Sequence, residues 1–216
     1  MRWEYILFDL DGTLTEPAEG ITNAIKYALG KYGIEVNDKR ELYKFIGPPL
    51  IPAFQEYFGF SHEKAVRALS YYREYFGEKG IFENSVYPGI EDGLKGLLKT
   101  GARLFVATSK PEVYSIRILD HFGLSRYFEF IGGSTLDESR FEKADVIRHV
   151  IESCGITRKE RAVMVGDRLH DIDGAKKNGL SSIGVLYGYG GRKELEKAGA
   201  DFIAEDQKEL FKLLSY

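Results

Sequence analysis

Two aspartates, Asp9 and Asp11, stand one residue apart directly after the apolar run Tyr5-Ile6-Leu7-Phe8, and Gly12-Thr13 follows them. Carboxylates placed this way repel one another, and each loses water beside a buried strand. A hard divalent cation relieves both problems, and Mg²⁺ suits a site with few carboxylates, several waters and a substrate phosphate. Further acidic, hydroxyl and basic groups follow later apolar runs. Thr108-Ser109-Lys110 comes after Leu104–Ala107, Lys143 opens a helical pattern, and Gly166-Asp167-Arg168-Leu169-His170-Asp171 comes after Ala162–Val165. The spacing of Asp167 and Asp171 puts them on one face of a helix, where both can point at the same ion.

These residue types suit phosphoryl transfer. An Asp9 carboxylate can attack phosphorus to form an acyl phosphate, dividing one hard displacement into two easier ones. Asp11, pointing the other way, can protonate the leaving oxygen and later deprotonate the attacking water. Mg²⁺ held by Asp9, the backbone carbonyl of Asp11 and Asp167, with Asp171 nearby, would offset the repulsion between an anionic nucleophile and an anionic phosphate. Thr108, with Ser109 and nearby backbone N–H groups, would hold phosphate oxygens, and Lys143 would supply positive charge to the transferring group. Plainer readings exist for each part. Asp-Gly is a common turn dipeptide, and an aspartate at a strand end often caps the next helix. An N-cap and a solvated acid would account for one of Asp167 and Asp171 more easily than for both.

The elements that must position these groups are legible as alternation. The runs Tyr5–Phe8, Leu104–Ala107, Phe128–Ile131, Ala162–Val165, Ser182–Leu186 and Phe202–Ala204 are apolar without a break, as strands buried on both faces of a parallel sheet are. Helical patterns lie between them and stop near Gly101, Gly123, Gly155, Gly179 and Gly199. Strands alternating with helices predict a doubly wound α/β sheet, in which ligands bind beyond the carboxyl ends of the strands at a switch in strand order. Residues 16–84 break the alternation. Ile21, Ile25, Ala28, Leu29 and Tyr32 recur at helical spacing, Leu42, Phe45 and Ile46 predict a shorter helix broken by Gly47-Pro48-Pro49, and Ala65, Leu69, Tyr72 and Phe76 continue the pattern. The expected organisation is a core of residues 1–15 and 85–216 with a small helical domain, 16–84, inserted as a lid.

Composition narrows the function classes. The 216 residues carry 30 Lys and Arg against 33 Asp and Glu, a formal net charge of −3, which argues against a nucleic-acid polymer or an anionic membrane as partner. Cys154 is the one cysteine and cannot pair within the chain, which fits a reducing, cytoplasmic setting. No apolar run is long enough for a signal sequence or a membrane span. The expected partner is a small phosphorylated metabolite, and the chain is expected to be a monomer or a homodimer.

The four motifs, in this order, resemble those of the haloacid dehalogenase superfamily. Asp9-Leu10-Asp11-Gly12-Thr13 resembles its first motif, Thr108 its second, Lys143 within Glu142-Lys143-Ala144-Asp145 its third, and Gly166-Asp167-Arg168-Leu169-His170-Asp171 its fourth. The resemblance implies a Rossmann-like core with a small α-helical cap, Mg²⁺ as cofactor and phosphatase chemistry through an aspartyl phosphate. Phe45-Ile46-Gly47-Pro48-Pro49-Leu50 is similar to the cap loop of phosphoglycolate phosphatase-like members, which points to Lys44, Gly47 and Pro48 as residues setting specificity. Dehalogenases proper lack the second aspartate, so Asp11 argues against dehalogenation. Lys110 competes with Lys143 for the motif lysine, but the residues around Lys143 match better, and Lys110 is a further group able to face the cleft.

Other residues have plainer accounts. His170 among hard oxygen ligands reads as a neighbour of the site, Cys154 as inert, Tyr71-Tyr72-x-x-Tyr75-Phe76 as packing, and Gly188-Tyr189-Gly190-Gly191 as a flexible rim loop. Two rivals to a phosphatase stand. A sugar phosphomutase would use the same aspartates but return the phosphoryl group to substrate, and a non-catalytic phospho-ligand binder would have no need of the Asp9/Asp11 pair. A dinucleotide-binding dehydrogenase would show G-x-G-x-x-G where Asp-x-Asp stands.

Overall fold

The run Tyr5–Phe8 forms β1, every residue of which is buried. The computed structural model describes residues 2–137 and 139–215. Among these the chain divides into two compact units, Met1–Glu16 with Val86–Tyr216, and Pro17–Ser85.

The first unit is built on a six-stranded parallel sheet. Its strands are β1, β4 (Arg103–Pro111), β5 (Phe130–Ser134), β6 (Ala162–Gly166), β7 (Ser181–Val185) and β8 (Phe202–Ala204), in the spatial order β5-β4-β1-β6-β7-β8. Two-residue strands β2 (Thr15–Glu16) and β3 (Ser85–Val86) stand where the chain passes from one unit to the other. Helices α4 (Ile90–Lys99), α5 (Glu112–His121), α6 (Lys143–Ser153), α7 (Leu169–Asn178), α8 (Arg192–Ala198) and α9 (Gln207–Ser215) connect or follow the strands. From β1 the chain goes to β4 and outward to β5, then returns to β6 on the other side of β1. The switch in strand order therefore falls at β1, and the carboxyl ends of β1, β4 and β6 lie side by side.

Register sets what meets there. Phe8 pairs with Val106 on one side and Val165 on the other, so Asp9 is level with the ends of both neighbours. Tyr5 and Leu7 pack on the same face with Phe105, Ala107 and Met164, against Val146, Ile147 and Val150 of α6. Alternation along the strand puts the Asp9 side chain on that face too, towards Lys143 at the start of α6. Burying an aliphatic side chain of this core stabilises the fold by about 1.5–3 kcal/mol. Strand pairing is irregular at the end of β4: Ala107 pairs with Gly132, but Pro111 pairs with Ser134. Thr108, Ser109 and Lys110 thus leave the ladder in a bulge, which frees their side chains from regular alternation.

The regular structure of the second unit is mainly helical, with α1 (Ala18–Gly30), α2 (Leu50–Phe58) and α3 (His62–Tyr75). Its centre is aromatic. Phe45, Phe54, Phe60, Tyr72 and Phe76 are buried, Phe54 stacks on Phe60 at 5.9 Å and Tyr72 on Phe76 at 5.1 Å, so the Tyr72/Phe76 stripe is packing. The segment holding Leu42 and Phe45 is not an α-helix but a 3₁₀ helix, Lys39–Phe45, with Asp38 accepting a bond from the Arg40 N–H at its start. The expected helix-stop glycines all have positive φ.

Candidate active site

Each candidate side chain is placed by the end of one element. Asp9 is locked at the end of β1 by its N–H, which donates to the Val165 carbonyl at 2.8 Å. Beyond it the chain folds tightly back, the N–H groups of Leu14 and Thr15 both donating to the Leu10 carbonyl at 2.9 and 3.0 Å. Gly12 makes this turn possible in two ways. Its φ is 81°, and a Cβ there would stand 2.3 Å from Oδ2 of Asp167. Asp167 is the first residue after β6, and Asp171 lies in the first turn of α7, where its Oδ2 accepts from the Arg168 N–H at 3.1 Å.

The carboxylates of Asp9, Asp167 and Asp171 are all buried, and each offers a ligand oxygen within 4.8 Å of those of the others. Asp167 precedes α7, so the shared helix face expected for Asp167 and Asp171 is not what joins them. A strand end and a helical turn converge instead. Lys143, also buried, stands among the three. Its Nζ lies 2.8 Å from Oδ1 of Asp9 and 2.8 Å from Oδ1 of Asp171, and donates to the Ala107 carbonyl at 3.0 Å. Thr108 is buried next to this bond, and its Oγ1 accepts from the Lys110 N–H at 3.2 Å.

Asp11 behaves differently. Its side chain is not part of the carboxylate trio, and Oδ2 instead accepts from Lys110 Nζ at 2.5 Å. The two lysines that compete in the sequence are therefore both in the site, each against its own carboxylates. Ser109 is half-buried in the β4 bulge. Lys44, Gly47 and Pro48 belong to the helical unit. Lys44 is exposed with its ammonium 4.2 Å from the centroid of the Tyr57 ring, and Gly47 has a φ of 100°.

Burial dominates the electrostatics. It raises the Asp167 carboxyl well above the usual range, and the neighbouring Asp171 and Asp9 add to the shift. Burial also raises Asp11, against the opposing pull of Lys110, and it raises Asp171, opposed by Lys143. For Lys143 burial works against the charged form, but Asp171 and Asp9 more than offset it and hold the ammonium above its ordinary pKa. A further sign of unmet demand is Oδ1 of Asp167, a buried oxygen with no hydrogen-bond partner. Hard carboxylate oxygens that are buried, mutually repelling and partly unpartnered fit a hard divalent cation. Among the described residues no histidine or cysteine joins this set.

The glycine-rich segment after β7 is not the flexible rim loop that its composition suggests. It is packed onto the site. The Tyr189 N–H donates to Oδ2 of Asp167 at 2.7 Å, the Tyr187 hydroxyl donates to the Thr13 carbonyl at 3.0 Å, and the Tyr189 hydroxyl bonds Glu16. A Cβ at Gly188 would stand 2.4 Å from both Asp167 Cβ and the Gly12 carbonyl oxygen, so glycine there serves close approach. Glu194 of α8, which belongs to no motif in the sequence, also serves the site. It accepts from the Leu169 N–H and the Arg168 Nε, both at 2.9 Å, and so holds the start of α7.

Known proteins resemble this chain in sequence and fold. The profile of the haloacid dehalogenase-like hydrolases matches residues 6–185. The chain belongs to that family. A 5'-nucleotidase from Pseudomonas aeruginosa is 46% identical over 195 residues, 90% of this chain and 88% of that one. The crystal structure of a predicted phosphatase from Clostridium acetobutylicum superposes with a TM-score of 0.95 at 52% identity, covering 99% of this chain and 98% of that one. The tyrosine-protein kinase PtkA of Mycobacterium tuberculosis is 38% identical over 93% of this chain and 68% of its own. A phosphoglycolate phosphatase from P. aeruginosa is 28% identical over 95% of this chain and 77% of its own. The parallel six-stranded sheet flanked by helices is the fold of this haloacid dehalogenase-like hydrolase family.

Proposed function

We propose that this haloacid dehalogenase-like hydrolase is a Mg²⁺-dependent phosphatase that hydrolyses a small phosphomonoester through an aspartyl phosphate on Asp9. The observation that carries this reading is the buried meeting of Asp9, Asp167, Asp171 and Lys143 at the switch in strand order, with Asp11 beside it on its own lysine. Relatives named 5'-nucleotidase and phosphoglycolate phosphatase support the class of substrate.

In this reading an Asp9 oxygen bonds to phosphorus as the ester P–O bond breaks, and the departing oxygen takes the proton of Asp11. In the second half Asp11 accepts a proton from water, the water oxygen bonds to phosphorus, and the Asp9–phosphorus bond breaks to release inorganic phosphate. Asp9, Asp167 and Asp171, with the carbonyl of Asp11, would hold Mg²⁺, which supplies positive charge against the phosphate oxygens when bound. Lys143 supplies a second positive charge, fixed by its bond to the Ala107 carbonyl. Thr108 and Ser109 take phosphate oxygens. The helical unit, inserted in sequence between β1 and β4, is the family's cap in this reading and sets specificity through Lys44, Gly47 and Pro48. Among the described residues no helix is long and apolar enough to cross a membrane, and the reading places the protein in the cytoplasm.

The test is release of inorganic phosphate over a panel of nucleoside monophosphates, sugar phosphates and phosphoglycolate. Release with Mg²⁺ and none with excess chelator is the expected result. With a nucleoside triphosphate added, transfer of its terminal phosphoryl group to a tyrosine peptide, leaving the diphosphate, with no ester hydrolysis would instead favour a kinase, the name that one relative carries.

Metal binding has its own readout. A carboxylate whose folded pKa is raised favours the folded state at acid pH, and that contribution is lost as pH rises from the ordinary carboxylate value through the raised one. Asp167, Asp171 and Asp11 are all raised, so the metal-free protein loses stability as pH rises, and Mg²⁺ competes with fewer protons. Saturating Mg²⁺, at 100 times its Kd, should stabilise by about 2.7 kcal/mol, or about 5–10 °C in melting temperature for a chain of this size. At one fixed Mg²⁺ concentration the gain should be larger at pH 8 than at pH 5.5 when melts are compared. A gain that shrinks as pH rises would contradict the proposed ligand set.

A further inference from the structure

The β4 bulge gives this chain a second buried lysine in the site, separate from the lysine of the carboxylate trio. Lys110 follows Thr108 and Ser109 out of the ladder between the Ala107–Gly132 and Pro111–Ser134 pairs. Its backbone N–H is held by Thr108 Oγ1 at 3.2 Å. Its ammonium reaches Asp11 Oδ2 at 2.5 Å, with the two side chains only 5% and 12% exposed. Oδ1 of the same carboxylate is buried and has no hydrogen-bond partner. Lys143 is meanwhile engaged with Asp9, Asp171 and the Ala107 carbonyl. The two cations thus serve different carboxylates, and Asp11 has one oxygen fixed and one unengaged.

We infer that Lys110 is a positioning residue that acts through Asp11: by holding Oδ2 it fixes the orientation of the carboxyl that exchanges the proton with the leaving group. This rests on the reading of Asp11 as acid and base. A carboxylate on a single-bonded side chain has rotamers to choose among, and proton transfer is efficient only within hydrogen-bond reach of the departing oxygen. Holding one oxygen by a short, buried, charge-assisted bond selects the orientation before substrate arrives. A lysine that simply bound phosphate would act alike on all esters. A lysine that acts through the acid matters most for esters whose alkoxide leaves badly and must be protonated.

The distinction is measurable with Lys110→Met and Lys110→Arg, assayed as kcat/KM with Mg²⁺ on p-nitrophenyl phosphate and on the best alkyl phosphomonoester of the panel. The value covers steps up to loss of the leaving group. Lys110→Met should lose activity on both esters, but about tenfold or more further on the alkyl ester, a share of what a general acid contributes. Lys110→Arg, which keeps the charge, should recover part of that difference. Asp11→Asn with and without Lys110→Met closes the cycle, and it also serves if Lys110→Met alone fails to fold, because the double variant leaves no unpaired buried charge. Once Asp11 is gone, removing Lys110 should not change the ratio between the two esters. Equal losses on both esters, or a ratio that still shifts in the Asp11→Asn background, overturns the inference while leaving the phosphatase reading intact. The phosphatase reading fails separately, if no ester of the panel releases inorganic phosphate with Mg²⁺.

Discussion

Asp9→Asn protein should release phosphate from the best substrate at a rate lower by about 10⁴-fold or more, the scale on which losing a covalent nucleophile acts. With saturating Mg²⁺ the loss should fall on kcat, since the change removes the atom that bonds to phosphorus while Asp167, Asp171 and Lys143 remain to hold metal and phosphate. Asparagine has nearly the shape of aspartate, and the backbone bond from residue 9 to the Val165 carbonyl does not involve the side chain. The substitution also removes one of three mutually repelling buried carboxylates. The variant should therefore melt within a few degrees of the parent, which separates a chemical defect from an unfolded one. Acid-quenched parent protein, incubated with a ³²P-labelled ester, should carry label that the variant lacks. Full turnover by Asp9→Asn would remove the aspartyl phosphate from the mechanism.

Lys143→Met should be the most destabilising single change in the site. The ammonium sits 2.8 Å from carboxylates on two different elements and bonds the β4 backbone, so its loss leaves Asp9, Asp167 and Asp171 buried with no cation among them. Removing one partner from a buried ion pair costs about 3–5 kcal/mol, or about 6–20 °C in melting temperature at this chain length. The pH dependence follows from the sign of the shift. Lys143 is held above its ordinary pKa, so its contribution is present at every pH below that value and lost only on alkaline titration. The variant should thus be less stable than the parent across neutral pH and recover as acid protonates Asp167 and Asp171, whose carboxyls are both raised. Saturating Mg²⁺ should restore part of the lost melting temperature, because it brings positive charge to the same oxygens, yet turnover should stay depressed about 10²–10³-fold for want of the lysine's charge on the transferring group. A variant that melts like the parent in the absence of metal would contradict this account of the cluster.

Much of the site was legible because it depends on where strands end. Asp9 and Asp167 each follow an unbroken apolar run, and a residue just past a buried parallel strand is delivered to the same rim whatever the loops do. What escaped depends on backbone irregularity and long-range packing. Asp167 and Asp171 invited a helix-face argument because their separation is four, yet α7 begins only at Leu169. The role of Lys110 turns on a bulge, and nothing in Thr-Ser-Lys-Pro distinguishes a bulged strand from a regular one. Gly188-Tyr-Gly-Gly shows the ambiguity of glycine, which marks flexible chain and close approach alike. Here the backbone had to come within bonding distance of Asp167. In the helical unit, Leu42 and Phe45 sit three apart, which suits a 3₁₀ helix as well as an α-helix, and the segment, capped by Asp38, takes the tighter form.

The central place of β1 also governs when the site can come into being. Synthesis delivers β1 first and β6 more than 150 residues later, and until β6 is made one edge of β1 has no neighbour in its own sheet. During that interval the nascent chain exposes an apolar strand edge, the feature that invites pairing with the wrong molecule. Asp9 and Asp11, sitting directly at its end, put two negative charges where a stray strand would have to continue. The carboxylates that make the mature site costly to assemble also guard its first strand while the rest of the protein is still being made.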